Sequence, residues 1–275
     1  MSAIRILASF KVTPDYEALR PADWAAGATN RPETRYVRRI LNCFDESALE
    51  LALRLTEALD GRGVAAELGA LSIGGPEVEG HLKTLQALGY QRTTRVDAGA
   101  ALDFAPGVTA ALIAAYTRCF DRSDLLLLGS RSGPGDSGVV PFLVAERLGW
   151  PCLPQVTDLE ALPNGRVRAT SATDDGPMSA TLRLPCVLSV GNAVVSHLRV
   201  PTLIQRLACR DRPVDVVAAA ALDVDVTTGL LREEGPTSLE VIDRSRPGVV
   251  VDGATPREKA RALYDQHLRP LLEDL

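Results

Sequence analysis

Leu125-Leu126-Leu127-Leu128-Gly129-Ser130-Arg131-Ser132-Gly133-Pro134-Gly135-Asp136-Ser137-Gly138 is the stretch that decides the fold. Four consecutive leucines, with Asp124 before them and Gly129 after, suit a strand buried on both faces, as inside a parallel sheet. A glycine-rich loop follows, and then a helix that runs to Leu148. Upstream, Ile4–Phe10 reads as a first strand, and residues 16–38 read as a long excursion rich in Pro, Ala, Arg and Thr. Asp45–Leu59 reads as a helix with Asp45 as its cap, because Ala48, Leu51, Ala52, Leu55 and Leu59 recur at three- and four-residue spacing. Gly61 and Gly63 end it. Val64–Ser72 is a strand closed by Gly74-Gly75-Pro76, and the next helix carries Val78, Leu82, Leu85 and Leu88, with Gly89 at its end. Thr93–Val96 is a weaker strand, and Val108–Phe120 an Ala-rich helix. Strand and helix in alternation specify an α/β doubly wound sheet, mainly parallel and Rossmann-like, with right-handed crossovers.

Beyond Trp150-Pro151 the pattern changes. Arg166–Ala172 and Ala180–Leu184 flank Thr173-Asp174-Asp175-Gly176 and predict a β-hairpin. Cys186–Val190 is an apolar strand, Thr202–Arg210 a helix, and Val214–Leu222 a strand or an apolar arm. Gly235–Gly253 is a weakly patterned tail. Thr255–Arg269 is a last helix, with Thr255 as cap, Pro256 in the first turn and Pro270 as the stop. The expected organisation is a nucleotide-binding α/β domain over 1–212 and a C-terminal arm and helix over 213–275. The apolar face of that helix needs a partner subunit to cover it.

The loop after the four leucines is the place for chemistry. In open parallel sheets, ligands bind at the carboxyl ends of strands. The helix behind the loop offers unpaired N–H groups and a partial positive charge to a phosphate. Glycines let the backbone approach it, and Arg131 can add a charge-assisted contact. The competing reading is a plain strand–helix connection with Asp136 or Ser137 as helix cap. The segment matches neither the P-loop nor the G-x-G-x-x-G fingerprint.

Charge and composition exclude several classes. Thirty Lys and Arg against thirty-five Asp and Glu give a net charge of −5 and a pI near 5.4, which does not suit a nucleic-acid footprint. No run of roughly 18 apolar residues is present to span a bilayer, and Met1–Phe10 lacks a signal-peptide pattern, so a cytoplasmic protein without direct membrane insertion is expected. Five scattered cysteines and three histidines, His81, His197 and His267, show no disulfide framework or metal-ligand spacing. No general acid/base or nucleophile constellation is visible, so a carrier without catalytic residues of its own is expected rather than an enzyme.

Four motifs, in order, resemble the electron-transfer flavoprotein beta family. Asn42-Cys43-Phe44-Asp45-Glu46-Ser47-Ala48-Leu49-Glu50, continuing into Ala52-Leu53-Arg54-Leu55, is similar to the family's Asn-Pro-Phe-Asp-Glu-x-Ala-Leu-Glu segment. Gly129, Gly135 and Asp136 match its glycine and Asp-Gly-Asp-like turn. The first strand running into Lys11-Val12 and Pro14-Asp15-Tyr16, and Pro185–Val190 followed by Arg199 and Pro201-Thr202-Leu203, complete the set. Departures at Ser130-Arg131, Val139 and Ser196-His197-Leu198-Arg199-Val200 mark a divergent branch. The resemblance implies a heterodimer with an alpha subunit that holds most of an FAD, and electron transfer from a flavin dehydrogenase to an acceptor. It implies AMP in the beta pocket, or a second FAD as in electron-bifurcating members. It places the cofactor around Ser9, Asn42, Cys43, Phe44, Asp45, Ile73, Gly129, Arg131, Gly135, Asp136, Ser137, Gly138, Val139 and Val140, with phosphate against Gly135–Gly138. Tyr16 resembles a family tyrosine near the partner's flavin ring. Arg199 and Leu203 fall in the segment that docks the dehydrogenase. A universal-stress-type module, an ATP-binding homodimer on a related fold, is one rival reading, and an adenine-nucleotide hydrolase or ligase on the same fold is another.

Overall fold

The computed structural model describes residues 3–24, 31–99, 102–163, 166–224, 245 and 248–273. The chain divides into two compact units, Met1–Leu239 and Glu240–Leu275. Part of the excursion over 16–38 and most of the tail over 235–253 lie outside the described residues.

The first unit is built on a nine-stranded sheet. Its strands are β1 (Ile4–Phe10), β4 (Ala66–Ile73), β5 (Arg92–Asp97), β6 (Leu125–Gly129), β7 (Cys152–Leu162), β8 (Arg166–Thr173), β9 (Gly176–Arg183), β10 (Cys186–Val190) and β11 (Asp215–Ala218). The order is β11-β5-β4-β1-β6-β10-β7-β8-β9. Pairing is parallel from β11 to β7, and antiparallel through β7-β8-β9. Two short strands, β2 (Val12–Pro14) and β3 (Arg39–Leu41), pair antiparallel beside it. The helices are α1 (Cys43–Asp60), α2 (Glu79–Ala87), α3 (Pro106–Tyr116), α4 (Val140–Leu148) and α5 (Leu203–Ala208).

The four leucines explain the layering. Leu125 and Leu127 point into one core with Ala48, Leu49 and Leu55 of α1 and Leu82 and Leu85 of α2. Leu126 and Leu128 point into the other, with Val108 and Leu112 of α3 and Val144 of α4. All four are at most 4% exposed, so alternation along one strand feeds two hydrophobic cores. Each such leucine contributes about 2 kcal/mol of burial. The fold is therefore α/β and doubly wound, as the alternation of elements predicts. From β1 the chain winds outward to β4 and β5, then returns to place β6 on the other side of β1. The strand order reverses there, which opens a crevice at the carboxyl ends of β1 and β6.

One local expectation is corrected, one strand goes unread in the sequence, and one open alternative resolves to a strand. α1 begins two residues before Asp45, with Asn42 at its N-cap, so Asp45 is inside the first turn and is not the cap. Strand β7 is not signalled by alternation, because Pro154 and Gln155 interrupt it; Gln155 sits at φ 48° beside a register shift against β10. Val214–Leu222 supplies β11, parallel to β5 at the sheet edge.

In the second unit, α6 (Pro256–Leu263) has Thr255 at its N-cap in a capping box with Glu258, as expected. Pro270 does not stop the helix. A π-turn over Tyr264–Leu268 runs without a break into α7 (Arg269–Glu273), so the helix continues through Pro270. Leu263, Tyr264, Leu268, Leu271 and Leu272 are all exposed. No helix among the described residues is long and apolar enough to cross a membrane.

Candidate functional site

A cleft of about 500 Å³ opens at the carboxyl ends of β1, β4, β5 and β6. Ser9 near the end of β1 and Lys11 just after it line the cleft, with Ile73 at the end of β4 and Gly75 beyond it, Asp97 at the end of β5, and the loop that leaves β6 at Gly129.

Asp45 organises the crevice from below. Its Oδ2 accepts the Lys11 N–H at 2.8 Å and its Oδ1 accepts the Gly129 N–H at 2.9 Å. One buried carboxylate thus ties the ends of β1 and β6 to the first turn of α1, where an acid also meets the helix dipole. Burial pushes the Asp45 carboxyl up to about 6, against the opposing hydrogen bonds from Lys11, Asn42 and Gly129. The folded chain therefore holds this proton at pH values where the unfolded chain, with an ordinary carboxyl at 3.8, has lost it. The contribution to stability is full below the ordinary value and falls as pH rises toward about 6. Asp45→Asn is expected to remove a slope of about 1 kcal/mol per pH unit between those values. Urea unfolding of both chains across that range measures it, and parallel curves would refute it.

The loop is shaped for close approach. Gly135 and Gly138 have φ of 98° and 67°, and Asp136 is itself left-handed at 42°. Asn42 Nδ2 donates to the Arg131 carbonyl at 2.8 Å, so α1 braces the loop. Neither Asp136 nor Ser137 caps α4: the N-cap is Val139, which makes no side-chain cap hydrogen bond. The start of α4 therefore keeps donors for an anion. Ser130 Oγ is buried and has no hydrogen-bond partner within the protein. The Arg131 guanidinium lies 3.7 Å from Asp136, and both side chains are more than half exposed. A cradle of left-handed glycines, an uncapped helix start and an unpartnered buried hydroxyl fit the phosphate end of a nucleotide.

Of the residues expected at the cofactor, Ser9, Asp45, Ile73, Gly129, Arg131, Gly135, Asp136, Ser137, Gly138 and Val140 line this cleft. Asn42, Cys43, Phe44, Tyr16 and Val139 stand outside its lining. Cys43 is exposed, Phe44 half-buried, and Val139 37% exposed. Tyr16 packs on Trp24 with ring centroids 6.1 Å apart, and burial followed by the Asp103 charge raises its phenol. A further part of the lining was not read from the sequence: Asp97, Leu102, Asp103, Phe104, Pro106 and Thr109. Its signal was available in the loop after the β5 strand, because every parallel strand delivers its following loop to this edge. Lys11, whose amine is pushed down by burial against the charges of Asp103 and Asp45, reaches it as well.

The segment expected to dock a dehydrogenase lies elsewhere on the unit. Arg199 donates to Glu50 at 2.7 Å and pairs with Glu57, both on α1. Lys83 of α2 holds the carbonyls of Arg210 and Arg212, and Gln86 donates to Pro213 O at 2.8 Å. Between these anchors α5 presents Leu203, Ile204 and Leu207, at 71%, 80% and 58% exposure, so neither Leu203 nor Leu207 is core. Among the described residues no cluster of three or more His, Cys, Asp or Glu could hold a metal ion.

Known proteins resemble this chain in sequence. The family profile described as "Electron transfer flavoprotein domain" matches residues 33–222. The chain is 31% identical over 275 residues to the putative electron transfer flavoprotein subunit YgcR of Escherichia coli, covering 98% of this chain and 100% of that one. It is 31% identical over 191 residues to the electron transfer flavoprotein subunit beta of Syntrophomonas wolfei, covering 69% of this chain and 72% of the relative. Against the corresponding subunit of Bacillus subtilis the identity is 26% over 229 residues, covering 82% and 84%. With the family profile spanning most of the α/β unit and YgcR aligning along the whole length, this chain belongs to the electron transfer flavoprotein family, as a divergent member of its beta-subunit branch.

Proposed function

We propose that this chain is the nucleotide-holding subunit of a heterodimeric electron carrier. It pairs with an alpha subunit and helps to pass electrons from a flavin dehydrogenase to an acceptor. Membership in a flavoprotein family supports a flavin in the complex. An FAD held mainly by the alpha subunit supplies the redox chemistry. This chain's residues bind and orient. The observation that carries the reading is the cleft where the strand order reverses, with its glycine loop and uncapped α4. In this reading the cleft holds AMP, or the adenosine portion of a second FAD, with the phosphate on the backbone of Gly135–Gly138 and near Arg131. The apolar faces of α6 and α7 are where the alpha subunit covers this chain, Tyr16 lies toward the partner's flavin, and the Leu203 face meets the dehydrogenase. The exposed leucines on both surfaces support this, since an unpartnered apolar face favours association. The complex works in the cytoplasm. The ordered motifs and the family match weigh against the ATP-binding homodimer.

Co-expression with an alpha subunit tests it. The expected product is a yellow heterodimer that releases a single FAD and a single AMP on denaturation. A second FAD in place of AMP would assign the bifurcating form. A colourless homodimer that retains ATP would overturn the proposal.

A further inference from the structure

Residues 102–105 form a turn that lines the cleft, closed by the Ala105 N–H donating to Leu102 O at 3.1 Å. Its third residue, Phe104, has φ 61°. Glycine adopts that conformation without steric cost, whereas a bulky aromatic side chain there is strained. Such strain persists where the surroundings over-determine it, and here they do on both flanks. Asp103 sits 3.8 Å from Lys11 Nζ at the end of β1 and 3.4 Å from Arg31. The Phe104 ring rests on the loop: a Cβ added to Gly135 would lie 3.2 Å from its Cδ1.

The strained turn delivers one aromatic ring to the cleft wall, next to the glycines that suit a phosphate. Two aromatic side chains line the cleft. Phe10 is 4% exposed and packs in the core, whereas Phe104 is only half-buried and keeps part of its ring open. Leu102, Ala105, Pro106 and Ile113 line the cleft around it. The cleft thus has an apolar, aromatic wall and a glycine-rich anion cradle side by side, which is the chemistry of a flat heteroaromatic ring joined to a phosphate.

We propose that Phe104 is the stacking residue for the base of the bound nucleotide, and that its left-handed backbone is held for that purpose. This rests on reading the cleft as a nucleotide site. A flat base against an aromatic face gains from offset stacking, which an aliphatic side chain of similar bulk does not reproduce.

The test uses the full chain freed of co-purified nucleotide, titrated with 2-aminopurine riboside 5′-monophosphate, a fluorescent base analogue quenched by stacking, and with ribose 5-phosphate, which lacks a base. The unsubstituted chain is expected to bind and quench the analogue. Phe104→Leu should lower analogue affinity about tenfold and abolish the quench, Phe104→Tyr should retain both, and ribose 5-phosphate should bind all three chains equally. If Phe104→Leu binds the analogue as well as the unsubstituted chain, or loses analogue and ribose 5-phosphate alike, the ring only packs the loop and the proposal fails. If the unsubstituted chain binds neither ligand, the nucleotide-site reading itself fails and this proposal falls with it.

Discussion

Gly129→Ala is expected to lower the free energy of unfolding by about 4 kcal/mol, enough to leave the chain largely unfolded at moderate urea. The reason is distance rather than backbone angle, since Gly129 is not among the residues of positive φ. A Cβ added to it would lie 2.3 Å from Asp45 Oδ1, 2.9 Å from Asp45 N and 3.0 Å from the Phe44 carbonyl carbon. Two of those atoms are backbone in the first turn of α1, which cannot rotate away as a long side chain would. Relief requires α1 to retreat from β6. That movement would break the Gly129 N–H bond to Asp45 and open the core in which Leu125, Leu127 and Leu49 pack. The cost combines overpacking with a buried carboxylate stripped of one donor. Urea midpoints of the two chains measure the effect; a shift smaller than about 1 kcal/mol would mean that α1 and β6 are less tightly apposed.

Arg199→Ala is expected to cost about 1.5 kcal/mol and to loosen the segment that carries α5, because Glu50 is buried while the guanidinium is partly screened by solvent. Glu50 is 3% exposed and accepts from the Arg199 guanidinium and backbone N–H as well as from Arg54. Burial raises the Glu50 carboxyl, but the hydrogen bonds from Arg199 and Arg54 outweigh it and leave the group below its ordinary value. A carboxylate held low stabilises the fold above its unfolded pKa, and that stability is lost as pH falls through the folded value. Arg199→Ala keeps the backbone N–H on Glu50 but removes the guanidinium, so the buried carboxylate loses a charged donor and retains Arg54. Double substitution with Glu50→Gln should therefore cost less than the sum of the single ones. Thermal melts give the stability, and amide exchange over residues 200–213 gives the loosening. Unchanged exchange there would show that Lys83 and Gln86 alone hold the segment.

The two substitutions mark the limits of reading along the chain. The run Leu125–Leu128 was legible because a strand buried on both faces has no polar alternation, and both cores duly receive it. The hairpin at Thr173–Gly176 was legible because turn chemistry is local. The glycine loop before α4 was legible as a strand-to-helix connection because strand, loop and helix are consecutive. Asp45 looked like a cap since acids three residues before an apolar period usually are caps. Its acceptor role depends on Lys11 and on Gly129, and the latter lies 84 positions away. The same is true of Arg199, whose anchor Glu50 is 149 positions off. β7 was hidden because Pro154 and a left-handed Gln155 break its period, while its pairing to β10 and β8 is supplied by other strands. Phe104 gave no local sign, because nothing around it announces a residue of positive φ.

By itself, then, the sequence determined the α/β winding and the position of its loop, because hydrophobic period and turn residues act over a few neighbours. The way α1, β1 and β6 close on one another through Asp45 and Gly129, and the ring that Phe104 sets beside the loop, were decided only by tertiary structure. Those contacts depend on distances between segments far apart in the chain, and such distances exist only once both cores have packed.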